Sequence, residues 1–166
     1  MQLPSSGHIL ANLRNINGTG CNGEKVPNAG QNPGQCRISA RSTDGGVSFH
    51  GTAVEPALLD PSCKAGISSW PPGAAPTALL FVNDFSLTAR TNIELRISRT
   101  GGASWPTVVP ISNGSAGIGT DGKPSQAVAG YTDVVGIPVG AAVVFEDGGC
   151  SISAAIVDLT NHTTPT

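Results

Sequence analysis

Residues 42–49 read STDGGVSF and residues 98–105 read SRTGGASW. Both follow one template: Ser, two variable residues, a Gly-Gly pair, a small residue, Ser, and a large aromatic. A strand-like run precedes each copy, RISARS and IELRIS, and another follows it, VSFHGTAV and ASWPTVVPI. Paired glycines supply the positive φ angles that a tight reversal between antiparallel strands needs. Asp44 can accept backbone N–H bonds within its own turn, and Phe49 and Trp105 are placed for the outgoing strand to bury them. A phrase recurring at this interval predicts repeated small antiparallel sheets.

The rest of the chain agrees. Among 166 residues there are 22 Gly and 13 Pro, and only 12% are charged. Amphipathic helices need more Glu and Lys than this, whereas short strands joined by tight turns do not. LLFVNDF, AAVVFE and SISAAIVDL are short and rich in β-branched residues, and no segment carries a 3.6-residue apolar period. The expected class is all-β. A net charge of -2 gives no reason to expect nucleic acid as a partner, and no apolar run is long enough to span a bilayer. The N-terminal MQLPSSGHILANLR lacks the regions of a signal peptide and reads as the middle of a folded unit.

Cys21, Cys36, Cys63 and Cys150 form no CxxC pair, and no His lies at metal-ligand spacing, so no metal site is expected. Cys21 and Cys36 bracket a loop with almost nothing apolar to hold it. They are a possible disulfide, which would favour an extracellular or lumenal compartment, or else two free thiols. The sequons at Asn17, Asn113 and Asn161 carry little weight in a chain so rich in Ser, Thr and Asn. His8, His50 and His162 fit no motif and are expected in solvent, as are Arg37, Arg96 and Arg99.

STDGGVSF resembles the Asp-box, S-x-D-x-G-x-x-W/F, of sialidase-type β-propellers; SRTGGASW is a degraded copy with Thr100 in place of the Asp. The box elements are Ser42, Asp44, Gly46 and Phe49, and Ser98, Gly102 and Trp105. Further segments are similar, in order, to the C-terminal half of a sialidase. HILANLR looks like the family's G-x-L-x-x-N-x-R, which would place its second active-site arginine at Arg14. LLDPSCKAGI resembles L-x-D-P-x-C-Q-G-S, with Lys64 and Ala65 as departures. NDFSLTARTNIELRIS resembles R-x-N-L-x-V-x-x-S and would place the third arginine at Arg90. GYTDVVGIPVGAAVVFEDG resembles Y-S-D-L…G-V-L-Y-E, implying a nucleophilic Tyr131 and a supporting Glu146.

The resemblance implies about three blades of four-stranded antiparallel sheet over residues 1–160, a partial β-propeller, with a tail at 161–166. It also implies exo-α-sialidase chemistry on the terminal sialic acids of glycoproteins, gangliosides or oligosaccharides, with no cofactor. The residue types suit that chemistry. Guanidinium forks match the sugar carboxylate, and a neutral phenol approaches an anionic anomeric centre without the repulsion a carboxylate nucleophile would meet. Such a phenol, ionising near pH ~10 in water, needs a base to attack. The family's first arginine in its R-I-P motif, its acid/base aspartate and the glutamate that activates the tyrosine are not found in this sequence. The expectation is therefore a module with little activity alone, completed by a second half-propeller, by self-association, or within a longer gene product of which this chain is a fragment. A sialoglycan-binding or purely structural Asp-box fragment is the alternative.

Overall fold

The computed structural model describes residues 7–16, 20–24, 35–73, 76–87, 89–118, 124–148 and 151–162. Cys150, Asn17 and the end of the expected tail lie outside them. Among the described residues there is no α-helix. The strands are β1 (Ile9–Leu13), β2 (Gln35–Ser42), β3 (His50–Asp60), β4 (Gly66–Trp70), β5 (Ala78–Asp84), β6 (Ile93–Ser98), β7 (Thr107–Ser112), β8 (Ser115–Ile118), β9 (Pro124–Ile137), β10 (Gly140–Asp147) and β11 (Ser151–Asp158), followed by one 3-10 turn, Thr160–His162.

They form three antiparallel meanders: β1-β2-β3, β4-β5-β6-β7 and β8-β9-β10-β11. The first has three described strands rather than four, and the sheets do not close into a barrel. They stack face to face, with the β4–β7 sheet in the middle. This arrangement explains β5, all seven of whose residues are buried. Alternate side chains of a strand leave opposite faces, so Leu79 and Phe81 join Leu10, Leu58 and Trp105 in the core toward the first sheet. Leu80 and Val82 join Val134, Ala141, Val143 and Phe145 in the core toward the third. A strand buried on both faces reads as an unbroken apolar run, as ALLFV does.

Glycine sets how closely the second and third sheets approach. A Cβ on Gly136 would lie 2.2 Å from the Ser69 carbonyl oxygen, and one on Gly66 would lie 2.6 Å from the Asp133 Cα. Across the same seam Trp70 Nε1 donates to the Ile137 carbonyl at 2.9 Å and the Gly136 N–H donates to Ser68 Oγ at 3.0 Å. At Gly66 and Gly136 there is no room for a side chain between β4 and β9.

The two repeated phrases form near-identical corners at the β2–β3 and β6–β7 reversals. Ser42 Oγ accepts the Gly46 N–H and Ser98 Oγ accepts the Gly102 N–H, both at 2.8 Å. Asp44 Oδ1 accepts the Ser48 N–H at 3.0 Å, and Thr100 Oγ1 accepts the Ser104 N–H at 2.8 Å. Gly45, Gly46, Gly101 and Gly102 all have positive φ. The aromatic residues part company. Trp105 is 5% exposed and meets the Phe81 ring at 5.7 Å, whereas Phe49 is 44% exposed. The expected burial of Phe49 is therefore corrected. The second corner lies against the first sheet, where Arg41 Nη2 donates to the Gly101 carbonyl at 2.9 Å. Among the described residues, no sheet plays that part for the first corner.

Candidate active site

In a meander, successive reversals fall at opposite ends of a sheet. The corner phrases close β2–β3 and β6–β7, so the segments leaving β1 and β5 lie at the other end. Those segments carry Arg14 and Arg90, which topology thus sets at the same end of adjacent sheets.

Arg14 is exposed, but the backbone beside it is fastened. Asn15, fully buried, donates from Nδ2 to the Cys36 carbonyl at 3.0 Å, and its own carbonyl accepts the Ser62 hydroxyl at 3.1 Å. Cys36 is also joined to Cys21 by a disulfide. Arg90 sits on a loop closed by the Phe85 N–H bond to the Asn92 carbonyl at 2.8 Å, with Asn92 in the left-handed region at φ 57°. The Arg90 carbonyl accepts the Ala129 N–H at 2.6 Å, which ties this loop to β9 just before Tyr131.

The consequence is a contact between residues far apart in the chain. The Arg90 guanidinium lies over the Tyr131 ring, 5.5 Å from its centroid, a cation–π arrangement. Tyr131 is 44% exposed. Its backbone N–H donates to Glu146 Oε2 at 3.0 Å, where a β-bulge between Phe145 and Asp147 interrupts the pairing with β9. Gly130 makes room for this bond, because a Cβ there would lie 2.1 Å from Glu146 Oε2. Glu146 thus supports the tyrosine strand directly. Tyr131 and Glu146 share a depression of about 260 Å³ with Lys64, Asp133 and Ile152, and neither Arg14 nor Arg90 lines it. Among the described residues no hydrogen bond, ion pair or ring contact joins Arg14 to Arg90 or Tyr131.

Between the two arginines lies a buried polar layer. Arg37, expected in solvent, is 3% exposed. Its Nη1 pairs with Asp60 Oδ2 at 3.1 Å and donates to the Cys63 carbonyl at 2.9 Å, while Nε donates to Asn12 Oδ1 at 2.7 Å. Burial lowers its pKa from the ordinary arginine value, Asp60 opposes that change, and the charge of Arg14 adds to it. Asp60 also accepts the Cys63 N–H at 2.9 Å. Beyond Cys63 come Asp84 and then Arg90, each acting electrostatically on the thiol. Arg96, also expected in solvent, packs 3.5 Å from the Phe85 ring centroid and pairs with Glu94 at 2.7 Å, and Arg99 is half-buried. Guanidinium stems cover apolar surface well, and a long strand side chain beside an aromatic takes that option.

No described protein family and no curated protein matches the sequence. Among solved structures, the chain is similar to one titled Hadza microbial sialidase Hz136, with a TM-score of 0.62 and 17% identity over 93% of this chain. The chain has a sialidase-like fold. It spans 26% of the length of that solved chain. Within the sialidase-like fold, the residues that sequence reasoning passed over are Arg37, Asp60, Cys63 and Asp84. One signal was legible: Asp84 stands two residues beyond the unbroken apolar run LLFV, where a charge must be either strand-end and wet or buried.

Proposed function

We propose that the chain is an exo-α-sialidase-type glycoside hydrolase module of the sialidase family, acting on terminal sialic acids of glycoconjugates. Tyr131 is the nucleophile, Arg14 and Arg90 are anchors for the sugar carboxylate, and Glu146 supports the tyrosine strand. The observation that carries this reading is the Arg90 guanidinium over the Tyr131 ring. A cation there sets the carboxylate of a sialoside next to the phenol, and an uncharged substrate would gain nothing from it.

In this reading the Tyr131 hydroxyl oxygen bonds to the anomeric carbon as the aglycone leaves, and water later displaces the tyrosine. Among the described residues no carboxylate hydrogen-bonds that hydroxyl. The base, the acid/base aspartate and the first arginine of such a catalytic set are not identified in this sequence, and groups that act as one set lose nearly all activity when a member is missing. The same observation favours a second reading, a sialoglycan-binding unit without turnover. Binding of a transition-state-like sialic acid analogue, weakened at least tenfold in Arg90→Ala, supports the shared part of both readings. Hydrolysis of a fluorogenic sialoside that disappears in Tyr131→Phe selects the enzyme, and undiminished hydrolysis in that variant excludes Tyr131 as nucleophile.

A further inference from the structure

Asp84 ends β5, immediately before the loop that carries Arg90. It is fully buried, and neither of its carboxyl oxygens has a hydrogen-bond partner among the described residues. The Cys63 thiol lies beside it without forming a bond of ordinary geometry. A buried carboxylate without donors is costly, and such a group takes up a proton instead. Burial accordingly pushes Asp84 up to about 7; the Cys63 thiol and the Arg90 charge pull it down, while Asp60 and Glu146 push it further up. Cys63 adds no second anion beside it, since burial and then Asp84 raise its thiol to about 12 and keep it protonated.

The charged and titratable groups facing Asp84 come from four places: Asp60 from β3, Cys63 from the β3–β4 turn, Arg90 from its own following loop and Glu146 from β10. Asp60 is already engaged by Arg37 and the Cys63 N–H. Arg90 is the cation in this set, and its charge has two competing uses, the electrostatic pull on an ionised Asp84 or an anion arriving over Tyr131.

We propose that Asp84 is a positioning residue for Arg90, such that capture of a carboxylate by Arg90 beside Tyr131 is coupled to proton uptake at Asp84. The ligand class rests on the function proposed above, whereas the pairing of Asp84 with Arg90 does not. With Asp84 neutral, the guanidinium charge is free for the ligand. Once a ligand neutralises that charge, Asp84 loses the influence that favoured its ionised form, and by linkage ionised Asp84 weakens the ligand by the same factor. A shift of about one pKa unit corresponds to about a tenfold change in affinity.

The test follows the Asp84 carboxyl carbon by NMR in the full chain with labelled aspartate, using N-acetylneuraminic acid as probe and the ring signals of the sole tyrosine as the binding readout. The expected midpoint lies near neutral pH and rises by about one unit, both in Arg90→Gln and with saturating probe. Affinity should fall about tenfold between pH 5.5 and 8.5 in the parent chain and stay flat in Asp84→Asn. A midpoint unmoved by Arg90→Gln overturns the coupling, whatever the probe does. Binding with the same affinity across this pH range leaves the glycan reading intact and also overturns the coupling. A midpoint that moves in Arg90→Gln while the probe fails to bind supports the Asp84–Arg90 pairing and overturns the glycan reading.

Discussion

Arg37 looks like a surface residue in RISARS, since a strand with one wet face has room for a charge every second position. It is instead enclosed, with its guanidinium divided between Asp60, Asn12 and the Cys63 carbonyl and lying 5.9 Å from the Phe81 ring centroid. Removing one partner of a buried pair costs more than the pair contributes, because the survivor stays charged and dehydrated. Asp60→Ala should therefore lose about 3–5 kcal/mol of stability in urea denaturation. The exposed pair Lys64–Asp133, at 3.1 Å, should lose under about 1 kcal/mol in Lys64→Ala. Equal losses in the two variants would contradict the buried-layer description. Nothing in the sequence separates Asp60 from Asp133, since both are followed by ordinary strand or turn residues and differ only in what the fold packs above them.

The two corners show how one element can be built with different chemistry. The Ser48 hydroxyl, the Ser48 N–H and the Ser42 hydroxyl hold the Asp44 carboxyl well below the usual carboxylate range. Its folded pKa is thus depressed, so its contribution is fully present above the unfolded value near ~4 and is lost as pH falls through the folded one. Thr100 makes the matching bond to the Ser104 N–H without a titrating group. Hydrogen-exchange protection should therefore fall below about pH 3 at the Ser48 amide and hold at the Ser104 amide. Parallel loss at both amides would show that acid weakens the whole sheet and not the Asp44 turn. The turn itself was legible from the sequence, because Gly-Gly with flanking Ser hydroxyls specifies its bonds locally. The fate of its aromatic was not, because burial of Trp105 depends on a neighbouring sheet.

At the scale of the molecule, the seam between the second and third sheets is held by backbone proximity, while the far face of the third sheet is open. Gly136→Ala places a methyl against the Ser69 carbonyl, an atom that cannot rotate away, and overpacking of this kind costs about 1–3 kcal/mol. Ile156, 67% exposed on β11, should tolerate Ile156→Lys within about 0.5 kcal/mol. Thermal denaturation of both variants checks the contrast, and a Gly136→Ala chain as stable as its parent would mean the sheets lie further apart than described. The seam also governs the site, since β9 carries Gly136 and Tyr131 and the Arg90 loop bonds to Ala129 on the same strand.

The amino-acid order alone determined the all-β class, the two corners and the strands that flank them, because each rests on interactions within a few residues. It also marked Arg14, Arg90, Tyr131 and Glu146 as worth locating. Only the tertiary structure decided which of these meet. Arg90 reaches Tyr131 through a loop bonded to a distant strand, Glu146 reaches the Tyr131 backbone through a bulge and the space Gly130 leaves, and Asp84 becomes a buried acid without a hydrogen-bond partner among the described residues only in the packed fold. Those outcomes depend on burial and on approach between segments remote in the chain, and neither property belongs to any residue on its own.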